Sequence, residues 1–164
     1  MKRHFGRLLL LNGTYLPTRI GAGTYTLTMS LAMIAWSLAA RYVSEALVAA
    51  HALGLSGLHF WVGVFGAAVG VLFWPFSASR MRDLNFPGWA VKVLAFPLLG
   101  VILLPLLCFL SGPRWANDYG DPPDRSSFIK VLCACALFAC AVLLSFSALI
   151  AYQRANYLLS IGVY

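Results

Sequence analysis

Four long stretches of the chain carry no charged side chain, and the charged residues cluster between them. The stretches are Ile20–Ala40, Ala46–Ser79, Val93–Pro113 and Val131–Gln153. A helix needs roughly 20 apolar residues to cross about 30 Å of hydrocarbon. The stretches are apolar throughout rather than alternating, and a helix in lipid satisfies its own backbone groups. The pattern therefore predicts four transmembrane helices, near residues 21–40, 56–77, 89–110 and 131–152.

The composition supports this interpretation. Of 164 residues, 61% are hydrophobic and 10% are charged, whereas soluble domains are about 45–50% apolar and about 25% charged. Such an apolar excess excludes an ordinary soluble domain, a disordered tail and a secreted disulfide scaffold. The predicted fold class is all-α: a polytopic integral membrane protein built as a helical bundle in the lipid bilayer.

The basic residues are distributed unevenly between the predicted loops. Eight lie in the N-terminal segment, the second loop and the C-terminal tail, and four lie in the first and third loops. Cytoplasmic loops carry an excess of Lys and Arg, so this distribution predicts that both termini and the second loop are cytoplasmic. The first and third loops are then on the other side. Most of the net charge of +7 would face the anionic cytoplasmic leaflet.

Side chains that could carry chemistry are scarce. Cys133, Cys135 and Cys140 show no CxxC spacing, and His51 and His59 are separated by about 12 Å of helix, too far apart to ligate one haem. The charge-free stretches by definition hold no acid for a proton relay. We therefore expect no enzyme activity, no cofactor and no metal. Nucleic-acid binding is also not expected, because the aromatic residues lie within the apolar stretches rather than among the basic residues.

The second predicted helix has a face of small residues. Gly63, Gly66, Ala67 and Gly70 recur at three- and four-residue spacing. Small residues allow helices to approach closely in lipid, so we expect a helix-packing face here. Either another helix of the same chain or a partner protein would fill it.

The second loop concentrates charge next to an aromatic residue. Arg80, Arg82 and Asp83 precede a Pro-Gly turn, Trp89 follows it, and Lys92 lies about one turn into the next predicted helix. Tryptophan and basic side chains are typical of the membrane–water interface. These five residues are candidate contacts to lipid headgroups or a partner, and a solvated turn is the alternative.

Three short motifs occur in a characteristic order. The second loop resembles R-R-L-H-D-x-x-x-S-G-W-W, which it matches at Arg80, Met81, Asp83, Gly88 and Trp89. The third loop resembles G-T-P-G-x-N-x-[YF]-G-x-x-P, which it matches at Gly112, Asn117, Tyr119, Gly120 and Pro123. The entry to the first helix is similar to G-R-I-x-R-x-x-[FY]-W at Arg19, Ile20 and Tyr25. Together these motifs resemble the bacterial inner-membrane proteins of the domain-of-unknown-function 805 family.

The resemblance spans about residues 12–124, and it implies an architecture and a location rather than a chemistry, because the family has no established activity. The chain departs from the motifs at Ala22, Ser79, Arg82, Pro87 and Ala90. Residues 1–19 are interpreted as a basic cytoplasmic segment, 20–124 as a family-like three-helix membrane domain, and 125–164 as an additional fourth helix with a short tail. The implied location is the bacterial inner (cytoplasmic) membrane.

Three functions remain open at this point. The leading hypothesis is a non-enzymatic accessory or regulatory protein that acts through helix packing with a membrane partner, with itself, or through contact with anionic lipid. The alternative is a small transporter or channel subunit for a neutral or anionic solute, suggested by the prolines in the third predicted helix. A lipid-directed enzyme ranks third, with Arg80, Arg82 and Asp83 as its only cluster.

Overall fold

A computed structural model describes residues 19–50 and 54–162, together with the backbone of two short strands nearer the N-terminus; at 97, 98 and 101 only the backbone is described. The strands β1 (Leu8–Leu9) and β2 (Tyr15–Leu16) pair antiparallel. The helices are α1 (Ala22–Ala50), α2 (Leu55–Asp83), α3 (Pro97–Phe109) and α4 (Phe128–Ser160), with a 3₁₀ helix at Gly88–Ala95. Apart from the strand pair, the elements are helical, as predicted.

Helices α1, α2 and α4 are long and apolar enough to cross a membrane. They have 29, 29 and 33 residues and mean hydropathies of 1.3, 1.7 and 2.5. At 1.5 Å per residue they are about 43–50 Å long, so their ends extend beyond about 30 Å of hydrocarbon. The described residues thus have three such helices, as expected for a membrane protein in contact with lipid. Four crossings are not confirmed.

The prediction of one continuous helix over 89–110 is wrong. The backbone is extended at Phe96, with φ −79° and ψ 118°, because a residue that precedes a proline disfavours the α conformation. Pro97 then begins α3 at its first turn, where its missing N–H costs no hydrogen bond. With 13 residues, α3 is about 20 Å long.

The 3₁₀ helix and α3 pack against each other at a glycine. A Cβ on Gly100 would fall 2.7 Å from the carbonyl oxygen of Leu94, so a larger residue would push the two segments apart. The transporter hypothesis was suggested by prolines in a predicted third transmembrane helix. In the structure, this part of the chain is a short 3₁₀ helix followed by a short α-helix.

The end of α2 is defined by a Schellman motif. Phe86 N–H donates to the carbonyl of Met81 at 2.9 Å, and Asn85 N–H donates to that of Arg82 at 3.0 Å. Asn85 has φ 64°, a left-handed conformation that asparagine tolerates better than most residues. The helix thus reaches Asp83, several residues beyond the position predicted from the apolar stretch.

After α3 the chain returns to the end of α2. A Cβ on Gly112 would lie 2.5 Å from Asp83 Oδ2, and the Asn117 side chain donates to the carbonyl of Arg82 at 2.8 Å. The second and third loops are therefore in direct contact. This contact does not fit the prediction that the two loops lie on opposite sides of the membrane, which assumed a crossing between them.

Contacts divide the chain into two compact units, 1–28 with 73–135 and 29–72 with 136–164. The first unit buries several charged and polar side chains, among them Arg19, Arg80 and Asp83. The second unit has an apolar cluster centred on Leu58 and Leu159.

Within the second unit, buried small residues recur at every seventh position of two helices. They are Ser30, Ser37 and Ser44 on α1 and Ala141, Ala148 and Ala155 on α4. Ser37 Oγ and Ser145 Oγ are 2.9 Å apart, and Arg41 Nη1 donates to Ser147 Oγ at 3.1 Å. These contacts show that α1 and α4 run parallel. A seven-residue spacing places each row on one face of its helix, and small residues permit helices to approach closely in lipid.

Candidate functional site

Three charged side chains meet in the interior of the first unit. Arg19, Arg80 and Asp83 are 3%, 0% and 2% exposed, and we call them the clasp. Arg19 donates from Nε and Nη2 to Asp83 Oδ1, at 3.2 and 3.1 Å. Arg80 donates from Nη1 to the other carboxylate oxygen, Oδ2. One carboxylate therefore bridges two guanidinium groups.

Secondary structure places these groups. Arg80 and Asp83 lie three residues apart in the last turn of α2, a spacing that puts both side chains on one helix face. Arg19 lies just before α1 begins at Ala22. The clasp therefore joins the beginning of α1 to the end of α2.

Arg19 also holds the third loop. Its Nη1 donates to the carbonyl of Gly120 at 2.8 Å and to that of Trp115 at 3.3 Å, and Nη2 donates to that of Pro113 at 3.1 Å. Because Arg presents its donors in a rigid planar fork, one side chain reaches the carboxylate and three backbone oxygens together.

Arg80 holds the C-terminal end of α3. Its Nε donates to the carbonyl of Leu107 at 2.8 Å, Nη2 donates to that of Leu110, and Nη1 also reaches that of Ile20 at 3.2 Å. The last carbonyls of a helix have no partner within the helix and carry a partial negative charge. A buried cation is therefore stabilised at this position.

The shape of the third loop depends on Asn117 and Gly120. The two residues exchange backbone hydrogen bonds of 3.1 and 3.0 Å, and Asn117 Oδ1 accepts from Tyr119 N–H at 2.9 Å. Gly120 has φ 119°, a conformation that side chains rarely adopt. This turn directs the Gly120 carbonyl to Arg19.

The clasp is internally satisfied. Its two positive groups and one negative group leave a formal excess of one positive charge, which the backbone oxygens around the arginines offset. Among the described residues, no buried side-chain nitrogen or oxygen lacks a hydrogen-bond partner. Both oxygens of Asp83 accept from arginine, so the arrangement fits a structural clasp better than an acid or base poised for chemistry. Over the same residues, no group of three or more His, Cys, Asp or Glu side chains could hold a metal ion.

The predicted contact residues differ in burial. Arg80 and Asp83 are in the clasp, buried inside the first unit. Arg82 is half-buried and lies against Gly88, where a Cβ would be 2.8 Å from its Nη2. Trp89 is 67% exposed, and Lys92 is exposed as well.

The predicted packing face on α2 is largely open. Gly63, Ala67 and Gly70 are exposed, and a Cβ on Gly63 or Gly70 would meet no described atom within 4 Å. Of the three glycines, Gly66 alone lies near a described residue of another helix: a Cβ there would be 3.1 Å from Trp36 Nε1.

Arg19, Asn117 and Gly120 were not among the predicted site residues. All three residues match positions of the family motifs. The presence of these motifs in one chain was therefore the sequence signal that the three residues belong to a common site. The structure shows that the three separate motif segments converge on the clasp.

Comparisons with known proteins identify a family without a known activity. A family model described as "Protein of unknown function (DUF805)" matches residues 16–121, which include the whole clasp. No curated protein and no solved structure matches the chain.

Proposed function

The chain belongs to the DUF805 family of proteins of unknown function, and on that premise we propose that it is a non-enzymatic inner-membrane protein whose clasped end contacts anionic lipid. The observation that carries the proposal is the pair of exposed residues on the 3₁₀ helix, Trp89 and Lys92. Arg80 and Asp83 are bonded to each other inside the clasp, whereas Trp89 and Lys92 remain exposed and can contact lipid.

Their chemistry suits the membrane–water interface. An indole ring favours headgroup depth, and a basic side chain near an anionic leaflet contributes about 1 kcal/mol. Lys92 lies three residues after Trp89, and three residues make one turn of a 3₁₀ helix. The aromatic and the cation are therefore adjacent on one side of that helix.

The distribution of basic residues supports a cytoplasmic position for this end. Ten of the twelve basic residues lie before α1, in the last turn of α2, between α2 and α4, or in the first turn of α4. The other two are Arg41 and Arg154. Hydrogen bonds join Arg19 and the end of α2 to the third loop. By the positive-inside rule, we propose three crossings, with the N-terminus and both loops in the cytoplasm and the C-terminus on the opposite side. This proposal replaces the sequence-based expectation that both termini are cytoplasmic.

Lipid selectivity tests the proposed contact. The chain is reconstituted in phosphatidylcholine bilayers, and electron paramagnetic resonance measures the preference of its boundary for spin-labelled phosphatidylglycerol over spin-labelled phosphatidylcholine. We expect a preference that Lys92→Gln and Trp89→Ala each reduce and that high salt weakens.

Arg125→Gln is the matched control, because it removes one exposed positive charge from the third loop instead. If Arg125→Gln reduces the preference as much as Lys92→Gln does, only net charge matters and the specific contact is lost. A wild-type chain without any preference for phosphatidylglycerol also contradicts the proposal.

A second candidate function is supported by the open face of α2. The space beside Gly63 and Gly70 is free of the chain's own described atoms, which suits a helix of a membrane partner or of a second copy. We expect Gly70→Leu to reduce the recovery of a cross-linked complex from native membranes while leaving thermal stability unchanged. Gly66→Leu is the contrast, because that position faces Trp36 and substitution there should lower stability. An unchanged cross-linking pattern for Gly63→Leu and Gly70→Leu contradicts this function.

A further inference from the structure

A groove between α1 and α4 in the second unit is separate from the clasp and from the proposed lipid contact. Its volume is about 380 Å³, within the range of small-ligand sites. The polar part of its lining is Arg41, Ser44, Glu45, Ser147 and Arg154. Small residues leave the space unfilled, among them Ala49, Ala151 and Ala155.

The groove contains cationic hydrogen-bond donors that are not fully used. Arg41 donates from Nε to Glu45 Oε1 at 2.9 Å and from Nη1 to Ser147 Oγ at 3.1 Å, which leaves its Nη2 available. Arg154 is exposed, and no other described residue forms an ion pair or a hydrogen bond with its guanidinium. The lining therefore has a formal charge of +1, with unused donors on both arginines.

Both arginines lie at one membrane interface. Arg41 is the first charged residue after the apolar stretch of α1, and Arg154 is the first after that of α4. Because α1 and α4 run parallel, both helices leave the hydrocarbon at the same end, and the groove lies at headgroup depth. The apolar part of the lining, Val48, Ile150 and Leu158, suits the edge of the acyl region.

We propose that this groove binds a phosphate-bearing anion, either the phosphate of a lipid headgroup or a soluble phosphate monoester. Arginine's planar fork matches the oxygens of a phosphate group, and charge-assisted hydrogen bonds are the strongest in this class. Arg41 and Arg154 are also the two basic residues that the positive-inside distribution does not explain.

The two sources are separated by two measurements on the full chain. In neutral detergent without lipid, calorimetric titration with glycerol 3-phosphate tests the soluble source. In phosphatidylcholine nanodiscs doped with phosphatidic acid, native mass spectrometry counts the phosphatidic acid retained by the protein and tests the lipid source. Binding in either experiment supports the proposal if it depends on the groove.

That dependence is tested with three substitutions and a control. We expect Arg154→Gln and Arg41→Gln each to weaken binding about tenfold, since a hydrogen bond to a charged group is typically worth that much or more. Glu45→Gln should strengthen binding, because it removes the only carboxylate among the described lining residues and raises the formal charge of the lining from +1 to +2. Arg125→Gln, an exposed arginine of the first unit, should leave binding unchanged.

Absence of binding in both measurements overturns the proposal. So does binding that Arg154→Gln leaves intact, or a fall in binding for Glu45→Gln. Arg154 and Glu45 are both solvent-exposed, so these variants should fold even if Arg41→Gln disturbs the packing of α1 against α4. Both variants leave Trp89 and Lys92 in place, so the result is independent of the lipid contact proposed for the clasped end.

Discussion

Arg19 and Asp83 are 64 residues apart in the sequence and are joined by two hydrogen bonds to a single carboxylate oxygen. The contact connects the beginning of α1 with the last turn of α2, and Arg19 continues from it to three carbonyls of the third loop. This side chain thereby links three segments of the first unit.

We expect Asp83→Asn to destabilise the protein strongly. The substitution leaves Arg19 and Arg80 buried without a compensating negative charge, and breaking a buried ion pair from one side typically costs about 3–5 kcal/mol. Thermal unfolding in detergent measures the change. The control is Asp118→Asn, which neutralises an exposed aspartate in the third loop. If the two variants unfold at the same temperature, the clasp does not stabilise the fold.

We expect Gly112→Ala to disrupt the clasp by steric conflict. The added methyl group would lie 2.5 Å from Asp83 Oδ2 and 2.8 Å from the Asp83 carbonyl oxygen, so the carboxylate or the loop must move. Gly63→Ala is the matched control, because it meets open space on α2 and improves helix propensity by up to about 1 kcal/mol. The melting temperature should fall for the first variant and stay constant or rise for the second. The opposite order would refute the geometry at Gly112.

We expect Ala148→Leu to weaken the packing of α1 against α4. Ala148 is 1% exposed in the row of small residues, and overpacking a tight interface usually costs about 1–3 kcal/mol. Ala139→Leu makes the same change at an exposed position of α4 and should be tolerated. Equal unfolding temperatures for both variants would mean that this row does not form the interface.

The proposed orientation predicts a pattern of cysteine labelling in intact cells. With three crossings, the cysteine introduced by Asp124→Cys faces the cytoplasm, and the cysteine introduced by Ser160→Cys faces the opposite side of the membrane. We expect a membrane-impermeant maleimide to label the second variant and not the first. Labelling of the first alone would support four crossings with both termini cytoplasmic, and would contradict our proposal.

The sequence predicted the long helices well but not the third one. The continuous apolar stretches of α1, α2 and α4 require helices in lipid, whatever their neighbours are. The stretch Val93–Pro113 is as long as that of α1, but the backbone is extended at Phe96, before Pro97. Only tertiary contacts, such as that of Gly112 with Asp83, show that the chain returns after α3 to the C-terminal end of α2.

The clasp was only partly predictable. Arg80 and Asp83 stand out in the second loop, and their spacing shows that they can share a helix face. Their burial depends on Arg19 and on carbonyls of the third loop, which are distant in the sequence. The seven-residue spacing of Ser30, Ser37 and Ser44 is present in the sequence, but the packing face was predicted on the glycines of α2 instead.

The hydrogen bonds of the clasp lie within one part of the chain. All of them join residues between Arg19 and Gly120, so every partner precedes α4, which begins at Phe128. The contacts that join the beginning of α1 to the end of α2 therefore use no residue of α4. A change within α4 leaves every partner of the clasp in the chain.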